Sequence, residues 1–122
     1  MTIKSLSVVT MLLFSLFSFS QSAIEGKWKG EENGNVIEIY SQNNMFFGKI
    51  ISVSDAKSDI KIGHLILNNL VYNKSTRNYE GKVKTTSGST AQCKIELINE
   101  NKFQLSVTKF FIHKTQIFIR IK

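Results

Sequence analysis

The sequence predicts an all-β domain of about eight short antiparallel strands, arranged as a barrel or a sandwich. Three observations carry this reading. Apolar and polar residues alternate with period two in successive runs. Those runs are rich in Ile, Val, Thr, Phe and Tyr, which suit a pleated surface. Asn, Gly and Ser clusters separate the runs at short intervals, and they are the residues that tolerate tight turns.

The fold is expected to begin after a leader. Lys4 is the only charge before the apolar stretch Leu6, Val8, Val9, Met11 to Phe14, Leu16, Phe17 and Phe19, and small residues follow at Ser20, Ser22 and Ala23. This order is that of a secretory signal peptide over residues 1–22, with cleavage after Ser20 or Ser22 and the domain over 23–122. The apolar core is shorter than the roughly 20 residues of a spanning helix, so no stable transmembrane span is expected after cleavage. The protein is expected to be exported, either periplasmic or secreted. No cysteine stands at the cleavage region, which argues against a lipid anchor.

The strands follow in order. The first, 24–30, carries Trp28. The second, 35–41, sets Ile37 and Ile39 on one face against Glu38. Asn33-Gly34 before it fits a tight hairpin whose two central residues both take positive φ. The third, 45–53, includes Ile50, and the polar stretch Ser54 to Lys61 after it reads as a surface loop or a lid at a barrel mouth. The fourth, 62–72, contributes Leu65 and Leu67. The fifth, 78–85, places Val83 opposite Lys82 and Lys84. The sixth, 90–98, aligns Cys93, Ile95 and Leu97, and the seventh, 102–109, aligns Phe103, Leu105 and Val107. The eighth, 115–121, has an isoleucine face of Ile117, Ile119 and Ile121 and an opposite face of Gln116, Phe118 and Arg120. A closed barrel would leave no sheet edge for a proline-free chain to protect.

Composition bounds the function. The chain has 122 residues, one cysteine, no proline and a formal net charge of +7. One domain is expected, and a single cysteine closes no internal disulfide. In an exported protein Cys93 is expected to be buried and inert. Loss of the leader removes one lysine, leaving a charge of about +6.

Gly26-Lys27-Trp28, Tyr40, Gly48-Lys49-Ile50, Gly63 with Leu65 to Leu70, Tyr79-Glu80-Gly81, Cys93 to Leu97 and Lys114 to Arg120 occur in an order that resembles the bacterial family of unknown function DUF2147. The resemblance covers nearly all of the chain beyond the leader. It implies a small exported protein with an up-and-down, lipocalin-like β-barrel and a small-molecule cavity, and it brings no catalytic residue or cofactor. The chain departs from the family pattern in a short Ser54–Lys61 loop, in Lys109 to His113 where a Gly-rich stretch is usual, and in Phe118 where a Trp is usual. Gly26, Trp28 and Arg120 also resemble the lipocalin closure, in which an arginine covers a tryptophan at one barrel end. An inward isoleucine face on the last strand would turn Arg120 outward, so that it could meet Trp28 only near the rim or across a bulge.

Tyr40, Tyr72, Tyr79 and Gln116 are the candidate ligand-binding residues, as polar tips within an apolar wall of Ile37, Ile39, Ile50, Leu65, Leu67, Val83, Ile95, Leu97, Phe103 and Leu105. Each is equally compatible with ordinary packing. His64 and His113 lie far apart, and no Cys/His/Asp cluster has metal-ligand spacing, so no metal or cofactor is expected. Asp55 and Asp59 sit among lysines as a solvated loop, and no nucleophile–base motif is present, so an enzyme is not expected. Lys27, Lys29, Lys49, Lys82, Lys84, Lys94, Lys109, Lys114, Arg120 and Lys122 make the chain basic. Export argues against nucleic acid as the partner. The leading expectation is a non-catalytic binder of a small apolar or amphipathic molecule. The alternative is a packed barrel that docks an acidic partner or an anionic envelope component through a basic face.

Overall fold

A computed structural model describes residues 20–122. The expected leader falls almost entirely on residues 1–19, outside the described residues. After a 3-10 turn, Gln21–Ile24, come eight strands: β1 Gly26–Gly30, β2 Val36–Gln42, β3 Met45–Ser52, β4 Leu65–Asn73, β5 Asn78–Lys84, β6 Thr90–Asn99, β7 Lys102–Lys109 and β8 Ile112–Ile121. Each strand pairs antiparallel with the next, and β1 pairs with β8, so the sheet closes into an up-and-down barrel. All strand edges are thereby paired, which removes the template for edge-to-edge association.

The wall expected from the alternation is found except at Leu65. Ile37, Ile39, Ile50, Leu67, Val83, Ile95, Phe103 and Leu105 are buried, and Leu97 packs against them half-buried. Leu65 is half-buried in register with Lys49 on the outer face, because the register shifts between Gly48 and Lys49, and Ile66 packs against the core instead. The eighth strand had two candidate inner faces, and its register decides between them. Trp28 lies in register with Arg120, and Phe103 with Phe118. Cross-strand partners share a face, so the Gln116, Phe118 and Arg120 face is the inner one and the isoleucine face is the outer one. Phe118 fills the interior with a ring stacked on Phe103, centroids 4.9 Å apart, which a β-branched side chain could not supply.

The tight hairpin also sits elsewhere than expected. At Asn33-Gly34 only Gly34 takes positive φ, and the connection runs from Glu31 to Asn35, with Asn33 Oδ1 accepting from the Asn35 amide at 2.9 Å. The two-residue turn with both φ positive is Asn43-Asn44, between paired Gln42 and Met45.

Odd strands start, and even strands end, at one end of the barrel. The 3-10 turn lies across that end, with Ile24 fully buried in the core. Large rings fill the space beneath it. Trp28 packs edge-on against Phe103 at 4.6 Å, and Tyr79 contacts Phe46 at 5.4 Å and Tyr72 at 5.0 Å. The opposite end is framed by the β1–β2, β3–β4, β5–β6 and β7–β8 connections. Among the described residues the eight strands close on themselves around one core, so residues 20–122 hold a closed barrel.

Candidate functional site

At the filled end, Trp28 Nε1 donates to the Ile24 carbonyl at 2.9 Å. The Arg120 guanidinium carbon stands 4.2 Å from the centroid of the Trp28 ring. Its Nη1 donates to the Glu25 carbonyl at 2.8 Å, its Nε to the Glu100 carbonyl at 2.9 Å, and its Nη2 to the Ala23 carbonyl. Arg120 therefore lies over the indole while its donors are spent on backbone oxygens from both sides of the barrel end. Gly26 makes the approach possible. It has φ +133, and a Cβ there would stand 2.5 Å from Arg120 Nη1.

The candidate tyrosines and the glutamine scatter. Tyr40 lies on the outer face, stacked on Phe47 at 5.9 Å with Lys49 Nζ 5.7 Å from its ring. Tyr72 and Tyr79 face each other in register. The Tyr79 hydroxyl donates to the Gln21 carbonyl. Burial first, and then the neighbouring Tyr72, holds the Tyr79 phenol above its usual range. Gln116 is half-buried opposite Leu105, beside a shallow depression it shares with Glu31, Glu32, Thr115 and Ile117. Cys93 is buried, and desolvation pushes its thiol up from 9.0 to about 12, so it stays protonated at neutral pH. His64 Nε2 meets the Lys84 carbonyl at 2.6 Å, and His113 Nδ1 meets Thr108 Oγ1 at 3.0 Å. Among the described residues no three His, Cys, Asp or Glu side chains converge.

None of Tyr40, Tyr72, Tyr79 and Gln116 lines the main apolar hollow, which lies at the opposite end. There a cavity of about 420 Å³ opens between β5, β6, β7 and β8. Val83, Ala91, Val107, Ile112 and Phe110 form its wall, Thr85, Ser89 and Thr90 its edge, and Lys109 and Lys114 supply two ammonium groups. The register accounts for it. Val83 pairs with Ala91, Cys93 with Val107, and Val107 with Lys114, so these positions project to one side. Side-chain size tapers along the same strands, from Tyr79, Ile95, Phe103 and Phe118 at the filled end to Val83, Ala91 and Val107 at the open one. The hollow is the volume that the smaller side chains leave. The sequence places Val83 in the apolar wall and Val107 on the face of Phe103 and Leu105, but the expected ligand contacts were the polar tips of Tyr40, Tyr72, Tyr79 and Gln116; the size taper along these strands was the signal that could have located the hollow.

The β3–β4 connection lies beside this mouth and is tied down rather than free. The Ser54 amide donates to Asn35 Oδ1 at 3.0 Å, the Gly63 amide donates to the Ile50 carbonyl at 2.7 Å, and Ile60 packs against the core.

Comparison with known proteins supports the architecture. The solved structure of protein HP1028 from the human pathogen Helicobacter pylori, described as belonging to the lipocalin family, superposes with a TM-score of 0.68. The match covers 81% of this chain and 83% of that one at 18% identity, and so speaks for the fold alone. No curated sequence matches significantly. The profile of the DUF2147 family, described as an uncharacterized protein conserved in bacteria, matches residues 26–120, from the glycine under Arg120 to Arg120 itself. With that match spanning the whole closed barrel, the chain belongs to the DUF2147 family and has a lipocalin-like fold.

Proposed function

We propose that the protein is an exported, non-catalytic binder of a small amphipathic molecule, taken at the open end of the barrel. The observation that carries this reading is the cavity of about 420 Å³ with an apolar wall and two lysines. Its size falls within the range of about 300–1,000 Å³ usual for small-molecule sites. The apolar part of the ligand would lie against Val83, Ala91, Val107 and Ile112, and an anionic group would meet Lys109 and Lys114. A lysine beside an apolar wall selects an anionic head through charge while the wall rewards burial of the tail. The filled end supports the same division of labour: Trp28, Phe103, Phe118 and Tyr79 leave no room there, so the ligand is short or only partly enclosed.

The test is titration of residues 20–122 with a dansylated medium-chain fatty acid. Saturable fluorescence enhancement is expected. Ala91→Trp, which fills the cavity, should weaken it at least about tenfold, and Lys109→Gln with Lys114→Gln should weaken it and remove its salt dependence. Enhancement that is unsaturable, or indifferent to Ala91→Trp, overturns the reading.

Docking of an acidic partner is a second reading. It rests on Lys82, Lys84 and Lys94, which are exposed on the outer face of β5 and β6. Glu80 stands in register with Lys94, and Glu96 follows it on the same face, so the charge there is mixed. The cavity favours the first reading.

A further inference from the structure

The β7–β8 hairpin tip is the most conspicuous exposed apolar feature of the barrel. Phe110 is 85% exposed, Phe111 103% and Ile112 63%. The turn between paired Lys109 and Ile112 contains only Phe110 and Phe111, and Phe110 takes φ +58. A bulky residue in the left-handed region is strained, and such positions ordinarily go to Gly or Asn. This chain uses Asn43-Asn44 in its comparable two-residue turn. At the β7–β8 tip it accepts backbone strain and solvent-exposed rings together; Phe110 and Ile112 border the cavity, but neither they nor Phe111 join the core. Strain held without a folding gain points to a role outside the folded chain.

We infer that this tip inserts into an anionic lipid surface and seats the open end of the barrel on the bilayer. The charges around it fit. Residues 102–122 contain no Asp or Glu, while Lys109 and Lys114 flank the tip and Lys84 ends β5, two strands from β7, at the same barrel end. Lys109 Nζ stands 5.9 Å from the Phe110 ring, close to the rings it would accompany to a headgroup layer. Ile62, 70% exposed, belongs to the same barrel end. The carboxylates of that end are Glu31, Glu32, Asp55 and Asp59. Glu31 and Glu32 lie beside Thr115 to Ile117, further along β8 from the tip, and Asp55 accepts from the Lys57 amide within its own loop. Aromatic rings at headgroup depth with lysines reaching phosphates are the usual pattern of an interfacial anchor. A second copy of the chain is a poorer occupant. The two rings offer about 150–250 Å² each at most, roughly half of the 800 Å² or so per partner of a stable interface.

The inference does not depend on a cargo; Lys109, Phe110, Ile112 and Lys114 also line the cavity, and Phe111, which does not, is the residue that separates the two readings. Residues 20–122 would be sedimented with vesicles of phosphatidylcholine mixed with phosphatidylglycerol, and with phosphatidylcholine alone. Binding to the mixed vesicles is expected, falling when salt rises from about 0.1 M to about 0.5 M. Phe111→Ser should cut the bound fraction about tenfold while leaving the fatty-acid titration unchanged. Phe111→Trp should show a blue shift of emission on mixed vesicles. No sedimentation of the unvaried protein with mixed vesicles, or equal sedimentation of Phe111→Ser, overturns the inference. So does a dimer lost in Phe111→Ser without vesicle binding, which would assign the tip to self-association. Failure of the cargo reading shows separately, in the titration of the unvaried protein.

Discussion

Arg120 illustrates how much one side chain organises at the filled end. Three of its donors reach carbonyls of Ala23, Glu25 and Glu100, and its plane covers the Trp28 ring. A lysine carries the charge but presents a single ammonium, which cannot span three separated oxygens and stack at once. Arg120→Lys should therefore destabilise the barrel by about 2–3 kcal/mol, read as a lower midpoint in urea at unchanged slope. A midpoint within experimental error of the parent would show that the contacts are incidental. The pairing of Gly26, Trp28 and Arg120 was visible as residue types in the sequence. Which face of β8 held Arg120 was not, because the isoleucine face is the more apolar by composition, and only the register with Trp28 and Phe103 reverses that preference.

Among the elements, the hairpin turns show where local sequence signals hold and where they are overridden. Asn33-Gly34 has the preferred residues for a two-residue turn, yet the chain spends five residues there. Asn33 and Asn35 are engaged with each other and with Ser54 of the β3–β4 connection, a contact from distant sequence. Asn43-Asn44 makes the tight turn instead. Asn44→Gly should stabilise the protein by about 0.5 kcal/mol, since glycine adopts φ near +65 without a Cβ penalty. Asn33→Gly should not, because its φ is not positive and its side chain holds the Asn35 amide. Thermal unfolding of the two variants side by side checks the contrast, and a gain in both would contradict it.

For the whole molecule, the two ends of the barrel have different work. One is sealed by a 3-10 turn and packed with rings; the other is hollow and carries the exposed Phe110-Phe111 tip. The seal belongs to residues before β1. A chain beginning at Gly26 loses Ile24, which is wholly buried, together with the acceptors of Trp28 Nε1 and the Tyr79 hydroxyl. It should be less stable than one beginning at Gln21 by about 3–5 kcal/mol, from lost burial and unpaired donors. Denaturant unfolding of both chains tests this, and equal stability would mean that the turn merely covers a barrel closed without it.

Period-two alternation and turn residues were enough to place eight strands, most within a residue or two of their bounds, because strand position depends on local patterning. The same patterning chose most of the inner wall, since one face of each strand must leave water. Three things lay beyond it: the inner face of β8, the route of the β1–β2 connection, and the location of the cavity. Each is a relation between residues far apart in the chain. Arg120 turns inward because its donors meet carbonyls of residues 23, 25 and 100, and the mouth is hollow because small residues of β5, β6 and β7 face one another across strands. Local pattern carries no information about which distant partners meet, so closure of the barrel alone settles these features.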